Sequence, residues 1–453
     1  MALSDIDGDG DLDLYVTNFR PTTIRDNPQA KFSIEFVKQK PVVVKVDGRP
    51  ATAPDLTNRF LVAPSGEVME SGEADVLYEN DGAGHFTAIS FTSGRFLDEH
   101  SRPLAEPPFD WGLAAQFHDF TGDGAPDLYV CNDYWTPDRI WINDGRGTFR
   151  AAPELALRST SRSSMGVDFA DIDRDGDPDC IIVDMLARMH ADRQKQVGEL
   201  QMFSFQPGVS NMRVQVSQNT LQLNRGDGTF AQIGELSGLE GSEWSWCPVF
   251  IDVDLDGWED LLVSNGHRRD FQNADAVTQI HQAIATKRIS FSEPRKIMDL
   301  FPRQHVSKGA FRNNHNLTFS DVATEWGLSE PDISHGFCLA DLDNDGDLDL
   351  AMNNLGTAAA IYRNESTAPR IAVRLEGAGK NSAGVGAQIT LRTGEFVQTQ
   401  EIIAGGRYLS GDAMERTFAV PVDAPASLEV RWRTGQIKQL RTLAPNQKYI
   451  IAE

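Results

Sequence analysis

Three observations predict an all-β protein built as a β-propeller. A nine-residue acidic pattern, Asp-x-Asp/Thr-x-Asp-Gly-x-x-Asp, occurs five times along the 453-residue chain. Each copy lies between two short apolar runs, and a turn rich in Asn, Asp and Gly follows further on. Four strands per repeat, with turns between them, are the pattern of a propeller blade. The five copies begin at Asp5, Asp119, Asp171, Asp252 and Asp341.

The strands of each repeat are predicted from short apolar runs around the acidic pattern. One run leads into the first aspartate, as in CPVFIDVD (247–254), and a second follows the last aspartate, as in DLLVSN (260–265). A third run enters the turn, as in LQLNRGDGTF (221–230), and its closing Phe begins a fourth strand. The fifth repeat ends differently, in IYRNES (361–366).

Three inserts interrupt this rhythm, at residues 19–74, 185–218 and 266–308. The first contains the strand-like PVVVKVDG (41–48), and the other two are predicted to be partly helical. All three leave the connection between the second and third strands, so they should crowd onto one face of the propeller. Loops held on one face of a rigid scaffold commonly carry recognition.

A change of composition near residue 368 predicts a domain boundary. Residues 370–453 lack the acidic pattern and contain 11 Lys and Arg against 8 Asp and Glu. Strand-like runs at 371–377, 386–394, 396–403, 427–435 and 448–453 predict a small β domain. The chain is therefore predicted to divide into a propeller over 1–367 and a second β domain over 368–453.

The acidic pattern has the oxygen spacing of a Ca²⁺ loop. Positions 1, 3, 5 and 9 offer side-chain oxygens, position 7 offers its backbone carbonyl, and glycine at position 6 permits the sharp turn. Four carboxylates in one turn would repel one another without a cation. We therefore predict about five Ca²⁺ ions, which clamp the scaffold. The predicted ligands, at positions 1, 3, 5, 7 and 9 of the five loops, are Asp5, Asp7, Asp9, Asp11, Asp13; Asp119, Thr121, Asp123, Ala125, Asp127; Asp171, Asp173, Asp175, Asp177, Asp179; Asp252, Asp254, Asp256, Trp258, Asp260; and Asp341, Asp343, Asp345, Asp347, Asp349.

The net charge of −24 is explained largely by these loops. Positions 1, 3, 5 and 9 hold four aspartates in each of four loops and three in the second loop. The acidic surface argues against nucleic-acid binding, which needs a basic face. No apolar run is long enough for a transmembrane helix. Modest-affinity Ca²⁺ sites fill outside the cell, so an extracellular or cell-surface location is predicted.

The start of the chain is unusual for an extracellular protein. Met1 to Ser4 lead straight into the first loop, and no secretion signal precedes it. We expect that the native N-terminus is missing and that the chain is the latter part of a longer one.

These features resemble the FG-GAP/VCBS repeats that form integrin-α-like propellers. The acidic loops carry the resemblance together with turns such as LYENDGAGHF (77–86). GAGKNSAGVGAQITL (377–391) and EIIAGGRYLSGDAMERTFAV (401–420) are similar to the ASPIC/UnbV domain of the cartilage acidic protein family, bacterial type. The resemblance implies a Ca²⁺-stabilised propeller of roughly seven blades, used for adhesion or recognition. Five of those blades are recognisable in this chain.

The sequence predicts a non-catalytic recognition protein whose partner is a polysaccharide, a matrix component or another protein. It contains no HExxH, GxSxG or P-loop motif, and no catalytic residue is predicted. Candidate contacts are the basic insert 266–308 and the aromatic group Trp244, Trp246 and Trp258. Core packing between blades is the simpler role for the tryptophans, and a solvated helix face is the simpler role for the insert. One alternative is a self-assembling subunit of a surface layer or filament. The other is a polysaccharide-acting enzyme with its site in the central channel.

Overall fold

The computed structural model describes residues 1–27, 29–63, 66–196, 213–290, 293–420 and 425–453. Strands dominate these residues, and the α-helices are confined to two inserts and one short turn after a strand, Gly234–Ser237. The all-β class is therefore confirmed. None of the helices in the described ranges has the length and apolar character needed to cross a membrane.

Five antiparallel sheets follow one another along the chain, each built around one acidic loop. We call them blades 1 to 5 and name their strands inner, second, third and outer. The bounds are Ala2–Ser4, Asp13–Val16, Val76–Asn80 and Phe86–Ile89 for blade 1; Gly112–His118, Asp127–Asn132, Arg139–Asn143 and Phe149–Ala151 for blade 2; Gly166–Ala170, Asp179–Val183, Thr220–Asn224 and Phe230–Gln232 for blade 3; Ser245–Ile251, Asp260–Asn265, Gly309–Asn313 and Phe319–Asp321 for blade 4; and Ser334–Ala340, Asp349–Asn354 and Ala360–Tyr362 for blade 5. Phe96–Leu97 adds a parallel strand beside the outer strand of blade 2.

Consecutive blades pack face to face. Four apolar clusters lie between neighbours in chain order, with Trp141 between blades 1 and 2, Phe169 between 2 and 3, Phe250 between 3 and 4, and Leu350 between 4 and 5. Because both faces of a middle blade are covered, its second strand is buried along its whole length, as Asp127–Asn132 is. The roughly seven-bladed ring stays a prediction, since the described residues contain five blades.

The three inserts lie on the opposite end of the blades from the acidic loops. Antiparallel strands put the first and second connections of a blade at opposite ends. We call this end the insert face. The insert elements are Phe32–Val37, Lys40–Val46, Arg49–Pro50, Phe60–Val62 and Val68–Glu70 in 19–74; helix His190–Gln196 and strand Val214–Val216 in 185–218; and helices Ala274–Ala285 and Pro294–Leu300 in 266–308. The predicted helical character of residues 197–212 falls outside the described residues.

The C-terminal part forms two further sheets around one apolar core, which includes Phe418 and Trp432. One sheet has the order Glu415–Ala419, Arg370–Glu376, Gln447–Ala452, and the other Phe396–Glu401, Gln388–Thr393, Ala426–Arg431, Ile437–Leu443. A two-residue strand, Ala404–Gly405, leaves this domain and pairs with the inner strand of blade 1. Leu3 and Leu12 of blade 1 pack against the same core.

Candidate metal centres and the domain that covers them

The acidic loops bring carboxylates together at positions 1, 3 and 9. In each of these groups one oxygen per residue lies within 4.8 Å of the other two. The second loop has Thr121 at position 3, and its hydroxyl donates to Asp127 at 3.0 Å. The four three-carboxylate groups among the described residues are Asp5, Asp7, Asp13; Asp171, Asp173, Asp179; Asp252, Asp254, Asp260; and Asp341, Asp343, Asp349.

The position-5 carboxylates are not members of these three-residue groups, and each of the two described next accepts a hydrogen bond within its turn. The carboxylate at position 5 accepts the backbone N–H of position 7, as Asp123 does from Ala125 at 2.9 Å and Asp256 from Trp258 at 2.9 Å. Position 6 then donates its own N–H back to position 1, as Gly257 does to Asp252 at 2.7 Å. The position-5 carboxylates therefore shape the loop through one oxygen, and their predicted role as ligands stays a prediction.

The aspartate at position 9 fastens each loop to the third strand. One carboxylate oxygen accepts an N–H from the start of its own loop, and the other accepts the backbone N–H of the asparagine that ends the third strand. In blade 4 these bonds join Asp260 to Val253 at 3.0 Å and to Asn313 at 2.9 Å. The same pair of bonds occurs in blades 1, 3 and 5.

The same asparagine connects each blade to the one before it. The side-chain N–H of Asn313 donates to the carbonyl of Ile172, at position 2 of the preceding loop, at 3.1 Å. The bond recurs in each of blades 2 to 5, so four identical links run from blade 5 back to blade 1. The other three are Asn143 to Ile6, Asn224 to Phe120 and Asn364 to Val253.

Burial disfavours ionisation of the position-9 carboxylates in the first four loops and raises their pKa values when no cation is present. It raises the pKa of Asp179 to about 9, that of Asp260 to about 8 and that of Asp13 to about 7. Burial also raises the pKa of Asp119, at position 1 of the second loop, to about 6. A bound divalent cation would reverse this penalty, because an opposite charge nearby favours the ionised form.

The donor set fits a hard cation of the Ca²⁺ type. Several buried carboxylate oxygens have no hydrogen-bond partner among the described residues, including Oδ1 of Asp171 and Oδ1 of Asp254. Buried acceptors without a partner are costly, so a cation with oxygen ligands explains them. Loop backbone and strand geometry hold these oxygens in place before any ion binds.

Two side chains at position 7 of the loops pack against the glycine of the Asn-x-Gly turn, a contact that the sequence did not indicate. Asp177 and Asp11 lie against the turn glycines Gly226 and Gly82, where an added Cβ would stand 2.6 Å from a carboxylate oxygen. Both glycines also have positive φ, 68° in each case. The glycine of the Asn-x-Gly turn is therefore required by backbone conformation and by close approach of the acidic loop.

The C-terminal domain covers the acidic-loop face and contacts the loops of all five blades. Arg370 pairs with Asp347 at 3.2 Å in the fifth loop, and the backbone N–H of Asn381 donates to the carbonyl of Gly10 at 3.1 Å in the first. The backbone N–H of Asp119 in the second loop donates to Glu401 at 3.0 Å.

Arg174 is the centre of the contact with the third and fourth loops. Its guanidinium donates to the carbonyl of Val397 at 2.6 Å and lies 4.5 Å from the centroid of the Phe396 ring. The same group is 5.2 Å from the ring of Trp258 in the fourth loop. Phe396 also packs on Gly257 so closely that a Cβ there would lie 2.3 Å from the ring. One side chain thus ties two loops to the C-terminal domain.

Residues 404–413 of the C-terminal domain run along the propeller axis, and we call them the axial segment. At one end Ala404 and Gly405 pair with the inner strand of blade 1. At the other, the N–H of Ala413 donates to the carbonyl of Leu339 in blade 5 at 2.9 Å. Between them, Arg407 pairs with Asp168 of blade 3 and donates to the carbonyl of Pro248 of blade 4. The axial segment therefore contacts the inner strands of blades 1, 3, 4 and 5 and links the first of these blades to the last.

A polar cavity of about 100 Å³ lies between the axial segment and the loops of blades 2 to 5. His118 and Glu401 face each other there, with Nδ1 and Oε2 3.4 Å apart. Burial lowers the pKa of His118 to about 4 and raises that of Glu401 to about 7, so the imidazole is neutral at pH 7. The sequence does not mark His118 as buried, because nothing in the local pattern shows that a second domain covers it.

The aromatic candidates separate onto two faces. Trp244 and Trp246 are neighbours on the insert face, with ring centroids 6.5 Å apart. Trp246 also contacts Tyr408 of the axial segment, and their ring centroids are 5.0 Å apart. Trp258 lies in the fourth acidic loop and stacks on His315 at 4.6 Å. The structure therefore brings two of the three predicted tryptophans together and adds Tyr408, which the sequence had not suggested.

Comparisons with known proteins agree with this organisation. A profile of the FG-GAP-like repeat matches residues 119–182 and 209–263, and a profile of the ASPIC and UnbV domain matches residues 377–453. Cartilage acidic protein 1 from Xenopus tropicalis is 25% identical over 248 residues, which cover 48% of this chain and 38% of that protein. The chain thus matches well under half of that relative's length.

Similarity to solved structures is weak. A lectin from Agrocybe aegerita, described as recognising non-reducing terminal N-acetylglucosamine, has a TM-score of 0.30 and 16% identity, covering 80% of this chain and 79% of the lectin. The V. cholerae biofilm matrix protein Bap1 has a TM-score of 0.24 and 11% identity, covering 94% and 62%. TM-scores this low say nothing about function. The matched profiles show that the chain carries FG-GAP-like repeats followed by a C-terminal ASPIC and UnbV domain, as the sequence predicted.

Proposed function

We propose that this protein is a non-catalytic, extracellular recognition scaffold that binds Ca²⁺ in each of its five acidic loops. In this proposal the ions are structural, and the ligand is bound on the insert face. The observation that carries it is the position of the C-terminal domain, which covers the acidic-loop face and fills the axis. The insert face is the end of the propeller that this domain leaves open.

Calcium would complete the loops and not react with a substrate. The carboxylates at positions 1, 3 and 9 would hold the ion, with Thr121 supplying a hydroxyl in the second loop. Bound Ca²⁺ supplies positive charge that lets these buried carboxylates ionise. The chain's own part is to fix the oxygens through loop amides and the asparagine links between blades. Sites of this kind with modest affinity fill at extracellular Ca²⁺ concentrations, which supports a location outside the cell.

The insert face offers charge suited to an acidic polysaccharide. Residues 266–308 contain eight basic and four acidic residues in a chain whose net charge is −24. Five of these basic side chains are exposed, and no hydrogen bond or ion pair with another described residue is recorded for them. They are Arg268, Lys287, Arg288, Arg295 and Arg303. A local basic surface on an acidic protein favours a polyanion there, because like charges elsewhere repel it.

The same face offers aromatic rings. Trp244, Trp246 and Tyr408 are each partly exposed and in contact in a row. His267 stacks on Trp244 at 4.6 Å and extends the row towards the basic insert. Aromatic faces with a polar edge suit sugar rings, which have an apolar face and a rim of hydroxyls. Aromatic and basic groups together therefore favour an acidic glycan over a neutral one.

A glycan panel tests the proposal. Purified full-length protein in Ca²⁺ buffer should bind acidic polysaccharides, and binding should weaken at high salt. The double variant Arg268→Glu/Arg303→Glu should lose at least tenfold in affinity, and Trp246→Ala should lose affinity at unchanged circular dichroism. Arg441→Glu, an exposed charge reversal on the C-terminal domain, is the matched control and should bind normally.

Two results would count against this function. Binding that is equal for the wild type and the insert-face variants would place the ligand elsewhere. Release of oligosaccharides from any glycan of the panel would show an enzyme and not a recognition scaffold.

A further inference from the structure

Blade 5 differs from the other four in one respect. Blades 1 to 4 each have an outer strand, and in the described residues blade 5 ends at its third strand, Ala360–Tyr362. The backbone at this edge is open, and Ile361 is 71% exposed. After Asn364 the chain turns into the C-terminal domain, whose first strand begins at Arg370.

In each of the other four blades the outer strand begins with a phenylalanine. In blades 1 to 4 the sixth residue after the third-strand asparagine is Phe86, Phe149, Phe230 or Phe319, and it begins the outer strand. In blade 5 the same position is Arg370. Its guanidinium donates to the carbonyl of Asp345 at 2.8 Å, so it serves the docking of the C-terminal domain.

Phe319 shows what this phenylalanine does in a complete blade. Its side chain is buried in the cluster between blades 3 and 4 and is 8% exposed. Other members of that cluster surround it from both blades. The five used for the comparison are, in order, Ile172, Ile181, Leu261, Leu239 and Phe311.

The equivalent residues between blades 4 and 5 line a cavity of about 400 Å³. Equivalence follows from position in the two blades that form the cluster. The five positions are second in the first blade's acidic loop, second after that loop's last aspartate, first after the last aspartate of the next blade's loop, ninth after the first blade's outer-strand Phe, and second before the next blade's turn asparagine. In the same order these residues are Val253, Leu262, Leu350, Leu328 and Tyr362. The cavity therefore has the walls of a phenylalanine site and lacks the phenylalanine.

We propose that this cavity and the open edge of Ala360–Tyr362 form an acceptor site for an extended partner segment that carries a phenylalanine. The segment would add the fourth strand of blade 5, antiparallel to the third. Its Phe would stand opposite Asn364, in the register that Asn313 and Phe319 show in blade 4. Main-chain bonds at a sheet edge give affinity, and the side-chain pocket gives specificity.

Blades 2 to 4, which each follow another blade as blade 5 does, indicate the chemistry of the occupant. Their outer-strand residues Phe149, Phe230 and Phe319 are buried, whereas Phe86 of blade 1 is 44% exposed. The buried residue must therefore be Phe, and the neighbours along the segment can be polar, as Ser320 and Asp321 are beside Phe319. Binding at this site is independent of any ligand on the insert face, so either proposal can fail without the other.

A peptide with the sequence of residues 314–324, which contains the outer strand of blade 4, is a direct probe. Labelled at its N-terminus and titrated with the full-length protein in Ca²⁺ buffer, it should bind saturably by fluorescence anisotropy. The same peptide with Phe319→Ser should bind at least about tenfold more weakly, because burial of one Phe is lost. Equal affinity of the two peptides, or no saturable binding, overturns the proposal.

Protein variants locate the bound peptide. Val253→Phe and Leu328→Phe each place a ring in the cavity and should weaken binding at least tenfold without lowering the melting temperature. Two independent positions guard against one variant that fails to fold. Leu342→Phe, at a half-exposed leucine outside the cavity, is the matched control and should bind as the wild type does. Normal peptide binding by both filled variants would also overturn the proposal.

Discussion

Arg407 of the C-terminal domain forms an ion pair with Asp168 on the inner strand of blade 3, and the two side chains are only 5% and 3% exposed. Arg407 also pairs with Asp412 at 2.8 Å. Asp168 in turn accepts the backbone N–H of Phe250 in blade 4 at 2.7 Å and the side chain of Gln116 in blade 2 at 3.2 Å. One buried group of charges thus holds three blades and the second domain together.

Arg407→Met should destabilise the whole protein. Removing one partner of a buried ion pair leaves uncompensated charge, which costs about 3–5 kcal/mol. We expect that loss in the free energy of unfolding by urea at pH 7 with Ca²⁺ present. Arg441→Met, at an exposed arginine of the same domain, should change stability by less than about 0.5 kcal/mol. A loss for Arg407→Met no larger than the control's would show that the axial segment is not held there.

Asn313→Ala should weaken the contact between blades 3 and 4. Asn313 is 2% exposed and donates from its side chain to Ile172 at 3.1 Å and to Glu259 at 3.2 Å. Leaving these buried carbonyls without a donor should cost about 1–3 kcal/mol of unfolding free energy. The adjacent, exposed Asn314 provides the control, and Asn314→Ala should lose less than about 1 kcal/mol. Equal losses for the two variants would contradict the role of the asparagine link.

Asp179→Asn distinguishes the contribution of Asp179 to Ca²⁺ binding from its contribution to the stability of the metal-free fold. With saturating Ca²⁺ the variant should be less stable than the wild type by about 2 kcal/mol or more, because one ligand carboxylate is lost. In metal-stripped protein it should be equally or more stable, since burial penalises that carboxylate and raises its pKa to about 9. Asp275→Asn on an exposed helix is the control. Differential scanning fluorimetry measures the melting temperature of each variant with saturating Ca²⁺ and after metal removal. Equal destabilisation of Asp179→Asn under both conditions would contradict a role for Asp179 as a metal ligand.

The pH dependence should have opposite signs with and without Ca²⁺. The pKa of Asp179 is about 9 in the folded protein and about 3.9 in an unfolded chain. The folded state then binds the proton more tightly. The contribution of Asp179 to the stability of the metal-free protein is therefore fully present below about pH 4 and is lost as pH rises towards 9. Ca²⁺ needs the ionised carboxylates, so its stabilising effect should grow over the same range.

Melting temperatures of metal-stripped and Ca²⁺-saturated protein at pH 5, 6.5 and 8 test this relation. The difference between the two should widen with rising pH. A difference that narrows would mean that the raised pKa values do not belong to the metal ligands.

Much of this architecture was predictable from the sequence because the repeats are local. Each acidic loop fixes its own turn, and the alternating runs beside it fix two strands, so the five blades and the small C-terminal β domain follow from short windows. The three inserts also leave the predicted connection. Helix, strand and loop assignments of this kind depend on neighbours along the chain.

Contacts between distant segments were not predictable in this way. Arg407 and Asp168 are 239 residues apart, and neither has a local pattern that marks it as buried. The docking of the C-terminal domain on the loops likewise depends on Arg174 and Arg370, and no local pattern in the sequence marks either residue as a contact between domains. The ligand role predicted for position 5 of the loops stays a prediction, and its hydrogen bond to the backbone N–H of position 7 is a contact that spacing alone did not indicate.

The central claim, that the acidic loops are Ca²⁺ sites that hold the scaffold, is tested most directly by counting bound ions. Metal-stripped full-length protein, equilibrated by dialysis against 1 mM Ca²⁺ at pH 7.5 and roughly physiological salt, in the range of extracellular modules, is assayed for calcium and protein. The account predicts about five Ca²⁺ per chain, one for each acidic loop. A value of one or none would contradict it.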